Sequence, residues 1–203
     1  MRAIRFCLFA GLILFAAGQF SVAAEQQEAQ KEEGEGNPKT NARVILGSIS
    51  GAPGTTVVVP IYYTPIEGIE VGRLKLEVTF VSTNLKIEKL DRGIAAEFGD
   101  VNLSSEVKLG KNEKGVETST LTLVASLSSS EPPKRGLPNG LLAYLNLTIN
   151  EKGRPAIITL KSSAEATELG SNKPAQNLRT VDATVEILAE GTEPAVACFF
   201  FTH

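Results

Sequence analysis

From residue 42 onward, apolar and polar side chains alternate with period two along most of the chain. In "GRLKLEVTF", Leu74, Leu76, Val78 and Phe80 fall on one face and Arg73, Lys75, Glu77 and Thr79 on the other, the pattern of a half-buried strand. "TSTLTLVASL" repeats it, with Leu121, Leu123, Ala125 and Leu127 against Thr120, Thr122, Val124 and Ser126. In "GLLAYLNLTI", Leu141, Ala143, Leu145, Leu147 and Ile149 oppose Leu142, Tyr144, Asn146 and Thr148. In "TVDATVEIL", Val181, Ala183, Val185 and Ile187 oppose Asp182, Thr184 and Glu186. Shorter candidates are "RVILGSI", "TVVVPIYY", "LKIEKL", "AIITLKS" and "EATEL", separated by turn signals such as "SGAPG", "KNEKG", "LPNG", "EKGRP" and "GSNKP". A helical period is confined to one short turn over "GIAAEFG". Many short strands, each with one polar face, predict an all-β fold, an antiparallel two-sheet β-sandwich.

The stretch "GSISGAPGTTVVVPIYYTP" shows how a turn feeds such a strand. Gly51 and Gly54 flank Ala52 and Pro53, which predicts a turn with φ fixed at the proline and freed at the glycine. Val57, Val59, Ile61 and Tyr63 then form an inward face, and Pro60 points outward. A proline within a strand predicts an edge or a bulge, because it has no N–H to donate to a neighbour.

The two ends read differently from the middle. Residues 1–24 open with Arg2 and Arg5, continue as the apolar run "FCLFAGLILFAAG" and end on "SVAA", the layout of a secretory signal peptide cleaved after Ala24. The run is shorter than the roughly 20 residues a spanning helix needs, so no membrane span is expected after cleavage and the product is expected to be secreted or periplasmic. Residues 25–41, "EQQEAQKEEGEGNPKTN", hold no apolar side chain larger than alanine and are expected to be a disordered acidic tether. Residues 42–190 form one stretch of domain size. The tail, residues 191–203, carries the apolar run Val196–Phe201, which is too short to span a membrane. It pairs with a sheet edge, docks on a partner, or is the remnant of a further module.

Charge and cysteine count narrow the chemistry. Removing Arg2 and Arg5 lowers the basic count from 20 to 18 against 23 acidic residues, a net charge of −5. Nucleic acid is therefore not an expected partner. Cys7 leaves with the leader, so Cys198 has no partner within the chain and is available for an intermolecular disulfide. The only histidine, His203, lies in the same tail. No cluster has metal-ligand spacing and no glycine-rich phosphate loop occurs, so neither metal nor cofactor is expected. Asp91, Asp100 and Asp182 are scattered among turns and strands. The expectation is a non-catalytic protein.

Three segments, "GSISGAPGTTVVVPI", "GRLKLEVTFVSTNLKIEKLDRG" and "NGLLAYLNLTI", resemble in their order and spacing the cohesin domain, the secreted sandwich that holds dockerin-bearing enzymes in polysaccharide-degrading complexes. The resemblance spans most of 42–190 and implies about nine strands in a jelly-roll-like topology. It also implies an assembly module whose partner is an exported, dockerin-like protein, linked to polysaccharide binding or degradation. Carried onto this chain, the family's binding face offers Arg73, Lys75 and Glu77 on one strand and Thr122 and Val124 on another. Positions matching Arg73 and Lys75 tend to be small polar or acidic in dockerin-binding members, and both are basic here. The alternative is direct polysaccharide binding on Tyr62 and Tyr144, outward residues whose strands are sheet neighbours in the family. Trp is absent, so any sugar platform would rest on those two rings.

Overall fold

The computed structural model describes residues 41–127, 135–171, 173–189 and 191–192. The expected leader, the tether up to residue 40, Cys198 and His203 lie outside them. The alternating segments form β1 (Ala42–Leu46), β2 (Ile49–Gly51), β3 (Thr56–Thr64), β4 (Val71–Val81) and β5 (Leu85–Arg92). The short helix α1 (Ile94–Phe98) follows, then β6 (Val101–Lys111), β7 (Glu117–Leu127) and β8 (Gly140–Ile149). β9 (Ala156–Glu168), β10 (Leu178–Val181) and β11 (Ala183–Ile187) complete the described elements.

Two sheets result, a five-stranded one in the order β10-β1-β3-β8-β5 and a six-stranded one in the order β2-β11-β9-β4-β7-β6. Their facing sides are the apolar sides of the alternation. Val44, Val59, Ile61, Leu145 and Leu147 of the first meet Leu74, Leu76, Val78, Leu123 and Leu160 of the second in one buried cluster. Burying such side chains supplies about 1.5–3 kcal/mol each, against the conformational entropy lost on ordering them.

The sheets are mixed rather than purely antiparallel. β1 runs parallel to β10, and β2 runs parallel to β11. Both segments read as single strands, "RVILGSI" and "TVDATVEIL", are broken in the middle, because each crosses from one sheet to the other. The first crosses at Gly47–Ser48 and the second at Asp182. The Asp182 carboxylate pins its crossing by accepting from both the backbone N–H and the hydroxyl of Ser162, at 2.7 Å each. The crossing shifts the side-chain phase, so Val181 is 39% exposed, against the inward position its alternation predicts, while Ala183, Val185 and Ile187 are buried.

Pro60 departs from expectation too. It is buried, and β3 is a central strand between β1 and β8. The reason is local. The Pro60 carbonyl accepts from Gly47 N–H at 2.9 Å, on the side where β1 ends and leaves the sheet. A missing donor there breaks no ladder bond, and a bulge follows between Ile61 and Tyr62. The preceding turn forms as its residues predict, with Gly54 at φ 78 and Thr55 N–H donating to the Ala52 carbonyl.

Periodicity alone does not pick out β6. Its first residue, Val101, is buried, but Val107 and Leu109 on the same face are 46% and 82% exposed. The six-stranded sheet overhangs the five-stranded one there, and the chain's own alternation is left without cover.

Candidate functional site

The outward side of the four strands β9, β4, β7 and β6 brings together all five residues singled out for protein binding. Lys75 lies directly opposite Val124, and Glu77 opposite Thr122, in the β4–β7 ladder; Arg73 heads the same strand face opposite Ser126. The rows continue to both sides. Glu165 of β9 flanks Lys75 and Ser163 flanks Glu77, while Ser104 and Glu106 of β6 flank Val124 and Thr122. Each row crosses four paired strands, so these positions are held by backbone ladders rather than by loops.

Electrostatics on the face is local. Lys75 Nζ sits 2.8 Å from Glu77 Oε1, two residues along the same strand. That hydrogen bond first, and then the Glu77 charge, raises the Lys75 pKa above its ordinary value; Glu165 adds to the rise and Arg73 opposes it. Lys75 therefore stays a cation across the whole physiological range. Thr79 and Thr120 share a hydroxyl–hydroxyl bond of 2.9 Å at the next row, so that end of the face is polar but internally satisfied. Val124 is half-buried, an apolar spot surrounded by Lys75, Thr122, Ser104 and Ser126. Glu165, Ser163, Ser104 and Glu106 were not predicted. Glu165 is in the short segment "EATEL", which proves to be the end of the thirteen-residue β9, and the β6 residues follow an alternation that Ser105 interrupts.

No family model matches the chain, and no curated protein matches it. Solved structures do. The chain is similar to the sixth cohesin of scaffoldin B from Acetivibrio cellulolyticus, solved in complex with a Cel5 dockerin, at 18% identity and TM-score 0.55, covering 73% of this chain and 100% of that one. The fold is cohesin-like. A non-cellulosomal cohesin from the hyperthermophilic archaeon Archaeoglobus fulgidus is similar at 17% identity and TM-score 0.52, covering 74% of this chain and 94% of that one. The seventh ScaB type I cohesin from Pseudobacteroides cellulosolvens is similar at 14% identity and TM-score 0.52, covering 80% and 98%.

The opposite outward side of this cohesin-like sandwich carries the tyrosines. Tyr144 lies across from Pro60 and Tyr62 across from Leu141, so the two rings are diagonal neighbours on β3 and β8. Burial first and then Tyr144 raise the Tyr62 pKa, and both residues are half-buried. On the same side Asn146 donates through Nδ2 to Asp91 Oδ2 at 3.0 Å, and Lys89 reaches the same oxygen at 2.7 Å. Asp91 is thereby committed to a structural contact, as Asp182 is at its crossing. No group of three or more His, Cys, Asp or Glu side chains able to hold a metal occurs among the described residues.

Proposed function

We propose that this chain is an exported, non-catalytic assembly module that docks a protein partner on the outward side of β9, β4, β7 and β6. The carrying observation is the row in which Val124 stands opposite Lys75 with Glu165 beyond it. An apolar centre inside a charged and hydroxyl-bearing rim is the anatomy of a protein interface, and ladder-held positions limit the ordering cost of binding. The complexes of similar cohesins with dockerins support this reading, and a dockerin-like exported protein is the partner it names. Arg73 and Lys75 call for carboxylates on that partner, a charge pattern that would select against dockerins suited to small polar or acidic positions. The leader at 1–24, the acidic tether at 25–41 and the domain at 42–190 fit delivery of such a module outside the cytoplasm, in the service of polysaccharide binding or degradation.

The test is a titration of the partner captured from the exported fraction against the chain and Val124→Arg. The substitution places a long cation in the row already holding Lys75, and binding is expected to fall by more than about tenfold with the melting midpoint unchanged. Equal affinity for both proteins would rule this face out.

A second reading, direct polysaccharide binding, draws on the diagonal placement of Tyr62 and Tyr144. It predicts that Tyr62→Ala with Tyr144→Ala abolishes retention on insoluble polysaccharide. Unchanged retention would leave the pair as a cross-strand contact that stabilises the sheet by about 0.2–1 kcal/mol.

A further inference from the structure

β6 is the last strand of the six-stranded sheet, and among the described residues no strand pairs with its free side. It runs for eleven residues, all of them paired with β7 on the other side, and it carries no proline. The far half of its inner face is also uncovered, since Val107 and Leu109 lie open while Val101 is buried. Beneath Val107 and Leu109 a groove of about 620 Å³ opens toward Leu85 and Ile87 of β5. A long edge with exposed apolar side chains is a template for another strand, and natural proteins usually blunt such an edge with proline, a bulge, charges or a covering segment.

The charges on β6 do match one partner, which is β6 itself. In antiparallel pairing about a twofold axis, side chains of opposite residues point to the same side of the sheet. An axis through Val107 sets Glu106 opposite Lys108 of the second copy, and Lys108 opposite its Glu106. Lys108 Nζ and Glu106 Oε1 already lie 3.6 Å apart within one chain, so four charges of alternating sign would form a square on the outer face. On the inner face Val107 meets Val107 of the second copy, and Leu109 lies opposite Ser105. Other registers lose this match. An axis at Glu106 or Lys108 puts like charges opposite each other, and an axis at Ser105 or Leu109 leaves both charges opposite neutral residues. An axis between two residues turns the apolar side of one copy to the outside of the other.

We propose that two copies of this chain associate through β6, antiparallel about Val107, into one continuous twelve-stranded sheet. The five residues of the candidate face would then appear twice on one side of that sheet. The proposal stands on the edge strand alone and does not depend on what binds the face.

Sedimentation velocity of the full chain under reducing conditions, over a wide concentration range, tests it. The chain is expected to sediment as a dimer that dissociates on dilution. Glu106→Lys and Lys108→Glu are each expected to sediment as monomers, since each sets like charges across the axis. An equimolar mixture of the two variants is expected to recover the dimer. The lysine introduced in one variant then faces the glutamate introduced in the other, and the unchanged Lys108 of the first faces the unchanged Glu106 of the second. That recovery would also show that both variants are folded. A monomer at every concentration, a dimer that survives in both single variants, a mixture that stays monomeric while both variants keep the wild-type melting midpoint, or a dimer present only without reductant, which would implicate Cys198, would each overturn the proposal.

Discussion

β7 and β6 are neighbours in one sheet and both place apolar residues at alternate positions, interrupted in β6 by Ser105, yet the inner face of β7 and the far half of that of β6 have opposite fates. Leu121, Leu123 and Ala125 of β7 are 1% exposed, whereas Val107 and Leu109 of β6 lie open. The residue types are comparable and the strands are paired along their length. What differs is the cover. The five-stranded sheet ends at β5, and a groove is left between β5 and the far half of β6. Period two therefore reports which way a side chain points, while burial is decided by how far the opposite sheet extends. An apolar residue that points inward where there is no inside is a candidate for contact with something else.

The sharpest way to break the comparison is to truncate the same residue type in both strands. Leu123→Ala deletes a fully covered side chain and is expected to lower the unfolding free energy by about 2–5 kcal/mol, through lost burial and the cavity left behind. Leu109→Ala should change it by no more than about 0.5 kcal/mol in the monomer, because water already reaches most of that side chain. Denaturant titrations at a concentration below any association would read both. Comparable losses would mean that β6 is covered in solution after all.

The same distinction explains how much could be read from the residues. Strand existence was legible wherever alternation is unbroken, as in β4 and β7, and so was the short helix at Ile94–Phe98; β8 was legible as a strand, but Leu142, expected outward, is buried in the core. The turn at Ala52–Thr55 was legible because proline fixes φ at about −65° and glycine admits the positive φ that the turn needs. The two sheet crossings were not. Gly47 and Asp182 interrupt no apolar period, and nothing local tells a strand that stays in its sheet from one that leaves it; only the parallel pairing of β1 with β10 and of β2 with β11 shows it. Pro60 misled for the same reason, since its tolerance depends on where β1 ends. Within the candidate face, Lys75, Glu77, Thr122 and Val124 could be assigned to outward faces from the residues alone. Their cross-strand register, and the flanking Glu165 and Glu106, required the ladder.

Tyr63 sharpens the comparison from the covered side. In β3, cover is complete enough to trap a polar atom. Tyr63 is fully buried and its hydroxyl has no hydrogen-bond partner among the described residues. A buried, unpaired hydroxyl costs about 1–3 kcal/mol, so Tyr63→Phe, which keeps the ring and removes the orphan oxygen, is expected to raise stability by about 1 kcal/mol.

The pH dependence gives an independent check. Burial first, and then the nearby Glu70 carboxylate, push the Tyr63 pKa well above its ordinary value of 10.0. Above pH 10 the phenol ionises in the unfolded chain but stays protonated in the folded one. The unfolded state then binds fewer protons, and stability falls as pH rises, at up to about 1.4 kcal/mol per pH unit for this group. Below pH 10 both states hold the proton and the group contributes no slope. Tyr63→Phe should remove this share of the alkaline loss and leave a weaker slope in the same direction from Tyr62, whose pKa burial also raises. Unfolding free energies measured at pH 8 and pH 11 for both proteins would separate the effects. No gain at pH 8 together with an unchanged alkaline slope would mean that water reaches the hydroxyl, and that it enters the covered half of the sandwich as it does the groove beside β6.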